Sequence, residues 1–239
     1  MEAPLPCISV CMAVRNGANF LKEQIVSILT QLGPYDELII SDDHSTDDSI
    51  KVAQSLQDKR IRIVRSDRRG VAHAFEVSLE SALGDYIFLA DQDDIWAPNK
   101  VEVVLKHLVK HDLVVSDCIV VDEFLGTLEP SFQQAHRSRK GLIRNLIRNS
   151  YMGCCMAFRK ELLQRVLPFP ADIPVHDIWI GLVSEMHFRT VFIPDKLVYY
   201  RRHRSNASTT SAATSRSVTH RIKERIVLIK NLIELTYAK

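Results

Sequence analysis

The residues best suited to chemistry in this 239-residue chain are three carboxylates at the end of an apolar run. Residues 86–96 read Tyr86-Ile87-Phe88-Leu89-Ala90 and then Asp91-Gln92-Asp93-Asp94-Ile95-Trp96. A buried parallel strand that stops in acids delivers them to the carboxyl edge of a sheet, where open α/β folds bind ligands. Crowded carboxylates repel one another unless a cation or a hydrogen-bonding ligand neutralises them. Hard oxygen ligands suit Mg²⁺ or Mn²⁺, ions that usually arrive with a substrate's phosphates. The plainer reading is an acidic turn, and Asp94 is expected to do no more than cap a helix starting near Pro98.

A second acidic cluster, Ser41-Asp42-Asp43-His44-Ser45-Thr46-Asp47-Asp48, follows another apolar run. A carboxylate there can accept from a ribose hydroxyl or a nucleobase N–H. Asp43 is the ligand candidate because it stands closest to the strand end, whereas Ser45 or Asp47 suits a helix N-cap.

The elements that must position these acids alternate. Strands are predicted at Cys7–Val14, Glu37–Ile40, Ile61–Val64 and Tyr86–Ala90, with helices at Phe20–Leu32, Ser49–Leu56 and Val71–Leu83 between them. This order implies an α/β fold with a mostly parallel sheet and right-handed crossovers. Polar clusters after the first, second and fourth strands should therefore meet at one edge.

Composition narrows the class. Hydrophobic residues at 46% with 25% charged describe a soluble globular chain, and a net charge of +2 gives no argument for nucleic acid. The five cysteines lack zinc-type spacing and several lie in apolar runs, so they read as reduced buried thiols. The N-terminus shows no basic region followed by an apolar one, and no run reaches about eighteen apolar residues. A cytoplasmic location is expected, either free or peripheral on the cytoplasmic face of the inner membrane. Neither Gly-x-Gly-x-x-Gly nor a P-loop is present, which argues against a dinucleotide enzyme or a P-loop NTPase.

Taken in order, Ile8-Ser9-Val10-Cys11-Met12-Ala13-Val14-Arg15-Asn16-Gly17, Ile40-Ser41-Asp42-Asp43-His44-Ser45-Thr46-Asp47 and Asp91-Gln92-Asp93-Asp94-Ile95-Trp96 resemble family 2 glycosyltransferases of the GT-A fold. The last segment looks most like bacterial rhamnosyltransferase-like enzymes of O-antigen and capsule assembly. The likeness covers roughly residues 7–206. It implies a glycosyltransferase domain over 1–206, with a nucleotide-sugar half to about 120 and an acceptor half from about 121. Residues 207–239 would form a flexible segment and a C-terminal helix.

The resemblance also implies roles. Ala13, Arg15 and Asp43 would line the base and ribose pocket, Asp91 and Gln92 would contact the donor, and Asp93 would hold Mn²⁺ or Mg²⁺ at the diphosphate. The family usually has an aromatic residue where Arg15 stands, and commonly Asn where Ala74 stands. Val175-His176-Asp177-Ile178-Trp179 matches the segment that carries the family's catalytic carboxylate, so Asp177 would be the base. Its plainer role is a cap for a helix over Ile178–Met186, and that of His176 is packing.

Strand segments at Val191–Ile193 and Leu197–Tyr200 lead to Arg201-Arg202-His203-Arg204, where the family likeness makes His203 a metal ligand. Arg201 and its neighbours could meet the diphosphate, though a basic cluster is usually a solvated face. Trp96 and Trp179 could stack on sugars or belong to the core, and Gly153–Phe158 reads as a buried strand. Ser205–Thr219 has the composition of a lid or linker. Residues 220–235 form an amphipathic helix with Ile222, Ile226, Ile229 and Ile233 on one stripe, flanked by His220, Arg221, Lys223, Arg225 and Lys230. That helix would lie on an anionic membrane, on another subunit or on its own domain.

The expected activity is metal-dependent, inverting transfer of a sugar from a nucleoside diphosphate donor to a bacterial surface glycan, and the resemblance implies a lipid-linked acceptor. dTDP-rhamnose is the first donor and a UDP-hexose (Glc, Gal or GlcNAc) the alternative. A phosphatase or nucleotidyltransferase would need an aspartyl nucleophile site or a Gly/Arg/Lys-rich first loop, neither of which is evident. A non-catalytic nucleotide-sugar-binding relative is the other class, against which Asp43, Asp91, Asp93 and Asp177 together argue.

Overall fold

The computed structural model describes residues 7–203 and 218–237. Apolar runs bounded by turns form the first half, in the order β1 (Ile8–Val14), α1 (Ala18–Leu29), β2 (Glu37–Asp42), α2 (Ser49–Ser55), β3 (Ile61–Arg65), α3 (Val71–Glu80) and β4 (Tyr86–Ala90). There follow β5 (Ile95–Trp96), α4 (Lys100–Leu108), β6 (Leu113–Val121), β7 (Thr127–Glu129), α5 (Phe132–His136), α6 (Leu142–Ile147), β8 (Met156–Arg159), α7 (Leu163–Val166), α8 (His176–His187), β9 (Thr190–Arg201) and α9 (Val218–Tyr237). The expected strand at 153–158 is instead a 3-10 turn over Gly153–Cys155 leading into β8, and the two late strand segments are one strand, β9.

The described strands share one sheet in the order β3-β2-β1-β4-β8-β6-β9-β5, with β7 pairing β6. Strands β3, β2, β1 and β4 are parallel, as the alternation requires, and right-handed crossovers place their helices on the sheet faces. β8 enters antiparallel between β4 and β6, and β6 runs parallel to β9. The register sets Val14 opposite Asp42 and Met12 opposite Ala90, so β1, β2 and β4 end at nearly one level. Three polar loops therefore emerge side by side.

The core fills both faces of these strands. Val10, Met12, Leu38, Ile40, Ile87 and Leu89 are fully buried, with Ile25 and Ile28 of α1 and Phe75 of α3 against them. Five cysteines are free thiols among the described residues, four of them buried. No helix among the described residues is long and apolar enough to cross a membrane.

Two departures concern helices. Asp94 caps nothing: Asn99 precedes α4, and Asp94 is fully buried. The expected apolar stripe of α9 is not its docking face. Ile222, Ile226, Ile229 and Ile233 are exposed, whereas Leu228, Asn231 and Leu232 are buried, with Asn231 Nδ2 donating to Asp172 Oδ1 at 2.9 Å. A second face of the helix, carrying fewer apolar residues, outcompetes the stripe for the protein. The side chains of Val218, His220 and Arg221 lie outside the described residues, as do Arg204 and positions 205–217 of the lid expected over Ser205–Thr219; its last two residues belong instead to the first turn of α9.

The start of β4 depends on a close backbone approach. The Gly84 N–H donates to Ser9 Oγ at 2.8 Å, and a Cβ at Gly84 would lie 2.7 Å from backbone atoms of Ile8 and Ser9. Backbone cannot rotate away as a side chain can. Gly84→Ala should cost about 1–3 kcal/mol of stability, read as a lower urea midpoint at unchanged slope; an unaltered midpoint would contradict this contact.

Candidate active site at the carboxyl edge of the sheet

Side chains latch the loops after β1, β2 and β4 to one another. The Gln92 amide clamps the backbone of Arg15, its Oε1 accepting from the Arg15 N–H at 2.8 Å and its Nε2 donating to the Arg15 carbonyl at 3.0 Å. Gly17 must be glycine for this clamp, because a Cβ there would sit 2.4 Å from Gln92 Oε1. Asn16 adopts a left-handed conformation, φ 51°, and its Oδ1 accepts from the Thr46 N–H at 2.8 Å. Asp47 accepts from the Ala18 N–H at 3.1 Å and from the Ser49 N–H at 3.0 Å, so it serves the first turns of α1 and α2 together. Ser45 Oγ accepts from the Asn16 N–H at 3.1 Å, latching the two loops, while the cap position of α2 falls on Asp48.

Within this frame Asp43 is buried and its Oδ1 accepts from the Gly70 N–H at 3.0 Å. Its Oδ2 lies 3.8 Å from Arg15 Nη1, and the Arg15 side chain is 53% exposed. Arg15 and Asp43 thus come together beside Gly70, with Ala13 at the end of β1 paired with Ser41 of β2. Gln92 is nearby, and both ends of its amide are engaged with the Arg15 backbone, which fixes the position of Arg15.

Asp93 and His203 also meet. His203 Nε2 and Asp93 Oδ2 are 2.8 Å apart, both side chains are largely buried, and Phe20 of α1 packs on the imidazole with ring centroids 4.6 Å apart. Ligand atoms in adjacent octahedral positions, each about 2.1 Å from Mg²⁺ or Mn²⁺, lie about 3 Å apart. The observed N–O separation and the mixed imidazole–carboxylate donors therefore fit one divalent ion. Asp91, Asp94 and Cys154 also offer one ligand atom each within 4.8 Å. That trio fits a hard ion less well, because a thiol is a soft ligand and the Asp93–His203 pair offers only oxygen and imidazole nitrogen.

The four acids are not equivalent. Burial pushes Asp91 up to about 7, reinforced by the charges of Asp93 and Asp177. Asp94 is raised well above the usual carboxylate range by burial and by Asp93 and Asp91, and its Oδ1 accepts from the Arg201 N–H at 2.9 Å. Asp177, at the start of α8, is pushed up to about 7 by burial, against the lowering influence of hydrogen bonds from Ile178, Gly153 and Asn149. It lies inside the first turn rather than at the cap, which is Val175. Asp177 is close enough to Asp91 for its charge to add to the rise of that carboxyl.

Several expected contacts belong to the framework instead. Arg201 is buried: its Nε donates to the Asp93 carbonyl at 3.0 Å, Nη1 to the Glu123 carbonyl at 3.0 Å and Nη2 to Glu23 Oε2 at 2.6 Å, with the guanidinium over Phe20. It braces the acidic loop rather than facing a diphosphate. Trp96 is core, tilted against Phe88 and lying under Lys100 Nζ at 4.3 Å. Trp179 is also core, its indole N–H donating to the Val166 carbonyl at 3.0 Å. His176 stacks on Phe75 at 3.9 Å, and burial pushes its pKa down to about 3, so it is neutral. Arg201 and Gln92 were legible only as polar residues in a motif; their partners lie 77 to 178 positions away along the chain.

The family 2 glycosyl transferase profile matches residues 9–167. An uncharacterized glycosyltransferase of Nostoc sp. is 27% identical over 222 residues, covering 87% of this chain and 68% of the relative. The UDP-Glc:alpha-D-GlcNAc-diphosphoundecaprenol beta-1,3-glucosyltransferase WfgD of Escherichia coli is 24% identical, covering 84% of this chain and 79% of that protein. Among solved structures, S. aureus TarS 1-349 in complex with UDP-GlcNAc superposes with a TM-score of 0.74 at 16% identity, covering 94% of this chain and 66% of that one. The mannosyltransferase PcManGT from Pyrobaculum calidifontis, in complex with GDP-Man and Mn2+, gives 0.65 at 22%, covering 85% and 59%. The chain belongs to glycosyl transferase family 2, and its fold is GT-A. It spans about two thirds or less of the solved chains it matches.

The raised pKa of Asp177 has a consequence for stability. Its folded value is about 7 against an ordinary 3.8, so the folded state binds more protons between those values and loses stability as pH rises through that window. Asp177→Asn removes the penalty. Its melting temperature should exceed that of the parent at about pH 8, with the gain vanishing near pH 4; an equal difference at both pH values would contradict the burial of this carboxyl.

Proposed function

We propose that this chain is an inverting glycosyltransferase that moves one sugar from a nucleoside diphosphate donor to a bacterial cell-surface glycan. The observation that carries this is the convergence of Asp43, the Asp91–Asp93 strand end, His203 and Asp177 on one cleft of a GT-A fold. Ala13, Arg15 and Asp43 take the base and ribose, Asp43 accepting from the nucleoside while the Gly70 N–H fixes its other oxygen. Asp91 accepts from the donor, and Asp93 with His203 holds Mn²⁺ or Mg²⁺. An ion held there would supply Lewis-acid stabilisation of the departing diphosphate.

Asp177 is the base. Inversion in a single displacement requires one group to take the proton of the acceptor hydroxyl as it attacks the anomeric carbon. No acid is needed, because the diphosphate leaves without protonation. A carboxylate raised to about 7 is far better matched to that proton than an ordinary one. His176, neutral and stacked on Phe75, and Gly153, whose Cβ would lie 2.9 Å from His176 Nε2, hold the start of α8 and so aim Asp177.

The donors named for WfgD and for the TarS complex, UDP-Glc and UDP-GlcNAc, support a UDP-hexose over the dTDP-rhamnose first expected. The diphosphoundecaprenol acceptor named for WfgD supports a lipid-linked acceptor here, which would bring the enzyme to the cytoplasmic face of the inner membrane.

Thermal-shift screening of UDP-, dTDP- and GDP-sugars with Mn²⁺ identifies the donor, because a bound ligand raises apparent stability by mass action. With that donor, Asp177→Asn should retain donor binding and lose transfer by about a thousandfold or more. For the parent enzyme kcat/KM should rise with pH through about 7 and then level off as Asp177 ionises. Normal transfer by the variant would remove Asp177 from the role of base.

A further inference from the structure

Two neighbouring helices leave apolar side chains in solvent. On α9, Ile222, Ile226, Ile229 and Ile233 are between 44% and 60% exposed. On α6, Ile143 and Ile147 are 74% and 76% exposed and one turn apart. The helices pack against each other, and exposed apolar side chains gathered on neighbouring elements mark an interaction site. At about 100° per residue the α9 stripe lies some 140° around the helix from the docked face of Leu228, Asn231 and Leu232, so docking to the domain leaves it outward.

Charge decides what covers it. Residues 137–148 hold Arg137, Arg139, Lys140, Arg144 and Arg148 and no acid. Lys223 and Lys230 border one side of the α9 stripe and Arg225 the other; Glu234, 3.8 Å from Lys230, is the acid nearest on that side. A chain with a net charge of only +2 thus concentrates basic residues around its exposed isoleucines. A second copy docked stripe to stripe would oppose lysine to lysine. An anionic surface is complementary to both features, and no described helix is apolar enough to enter a bilayer as a span.

We infer that α6 and α9 together form a docking surface for an anionic phospholipid bilayer. The isoleucines enter the acyl boundary and the flanking arginines and lysines meet the headgroups. The surface is tied to the cleft through α8. Both oxygens of Glu185 accept from the Gly141 N–H, at 2.8 and 2.7 Å, and the Tyr151 hydroxyl and Asn145 Nδ2 donate to the same carboxylate. Helix α6 is therefore fastened to α8, whose first turn carries Asp177, and bilayer contact orients the acceptor side of the cleft. The surface stands on exposure and charge and requires no particular donor or acceptor.

The test is co-sedimentation of the whole chain with vesicles of phosphatidylglycerol and phosphatidylethanolamine, and with vesicles of phosphatidylcholine alone. Binding to the anionic vesicles should be about tenfold or more tighter than to the neutral ones and should weaken with salt. The double variants Ile143→Ser/Ile147→Ser and Ile226→Ser/Ile229→Ser should each weaken it by about tenfold while retaining the parent's circular dichroism and its thermal shift with nucleotide-sugar. Absence of vesicle binding, equal binding to both vesicle types, or variants that bind as the parent does would overturn the inference. So would a dimer in light scattering that the Ile226→Ser/Ile229→Ser variant dissolves without changing vesicle binding. Loss of vesicle binding with nucleotide-sugar binding intact separates this surface from the catalytic reading.

Discussion

Like charges brought together where solvent is scarce set the terms for the rest of this structure. Asp91, Asp93, Asp94 and Asp177 converge near the ends of parallel strands, and each is accommodated differently. Burial pushes Asp94 well up, favouring its neutral form, and it accepts from the Arg201 backbone. Asp93 meets His203. Asp91 and Asp177 retain raised pKa values, so the cleft holds two carboxyls whose ionisation is opposed by their surroundings. Such a site favours whatever supplies positive charge or hydrogen-bond donors.

Holding the acids in register requires long-range struts. Arg201, at the end of β9, reaches the backbone of Asp93, the carbonyl of Glu123 and the carboxylate of Glu23, joining the sheet edge to α1. Its cation also lies among the acids it braces. Lys100 does similar work from α4, its buried ammonium donating to the Cys154 carbonyl at 2.6 Å over the Trp96 ring. The clamp of Gln92 on Arg15 and the latches of Asn16 to Thr46 and of Asp47 to the Ala18 N–H order the opposite wall. The cleft is thus built largely from side chains that do not face it.

The first four strands are legible in the sequence because a buried parallel strand is a local apolar run, and Tyr86–Ala90 is read to the residue. The acids at their ends follow from topology alone. What sequence does not show is pairing at a distance: the antiparallel entry of β8, the two-residue β5 against β9, and the strut from Arg201. Trp96 and Trp179 read equally as sugar platforms or core, and only their burial decides. The α9 stripe misleads for a related reason. Amphipathicity shows that a helix has an apolar face, whereas the partner for that face depends on shape elsewhere, and Leu228 with Leu232 fits the domain better.

On this reading, a divalent cation held by Asp93 and His203 would bind a nucleoside diphosphate to the acidic strand end. Titration calorimetry of UDP into the protein, with Mn²⁺ and with chelator, for the parent and for Asp93→Asn, tests it directly. Binding should require Mn²⁺ and weaken by about tenfold or more in the variant. Equal affinity with chelator present, or in the variant, would contradict it.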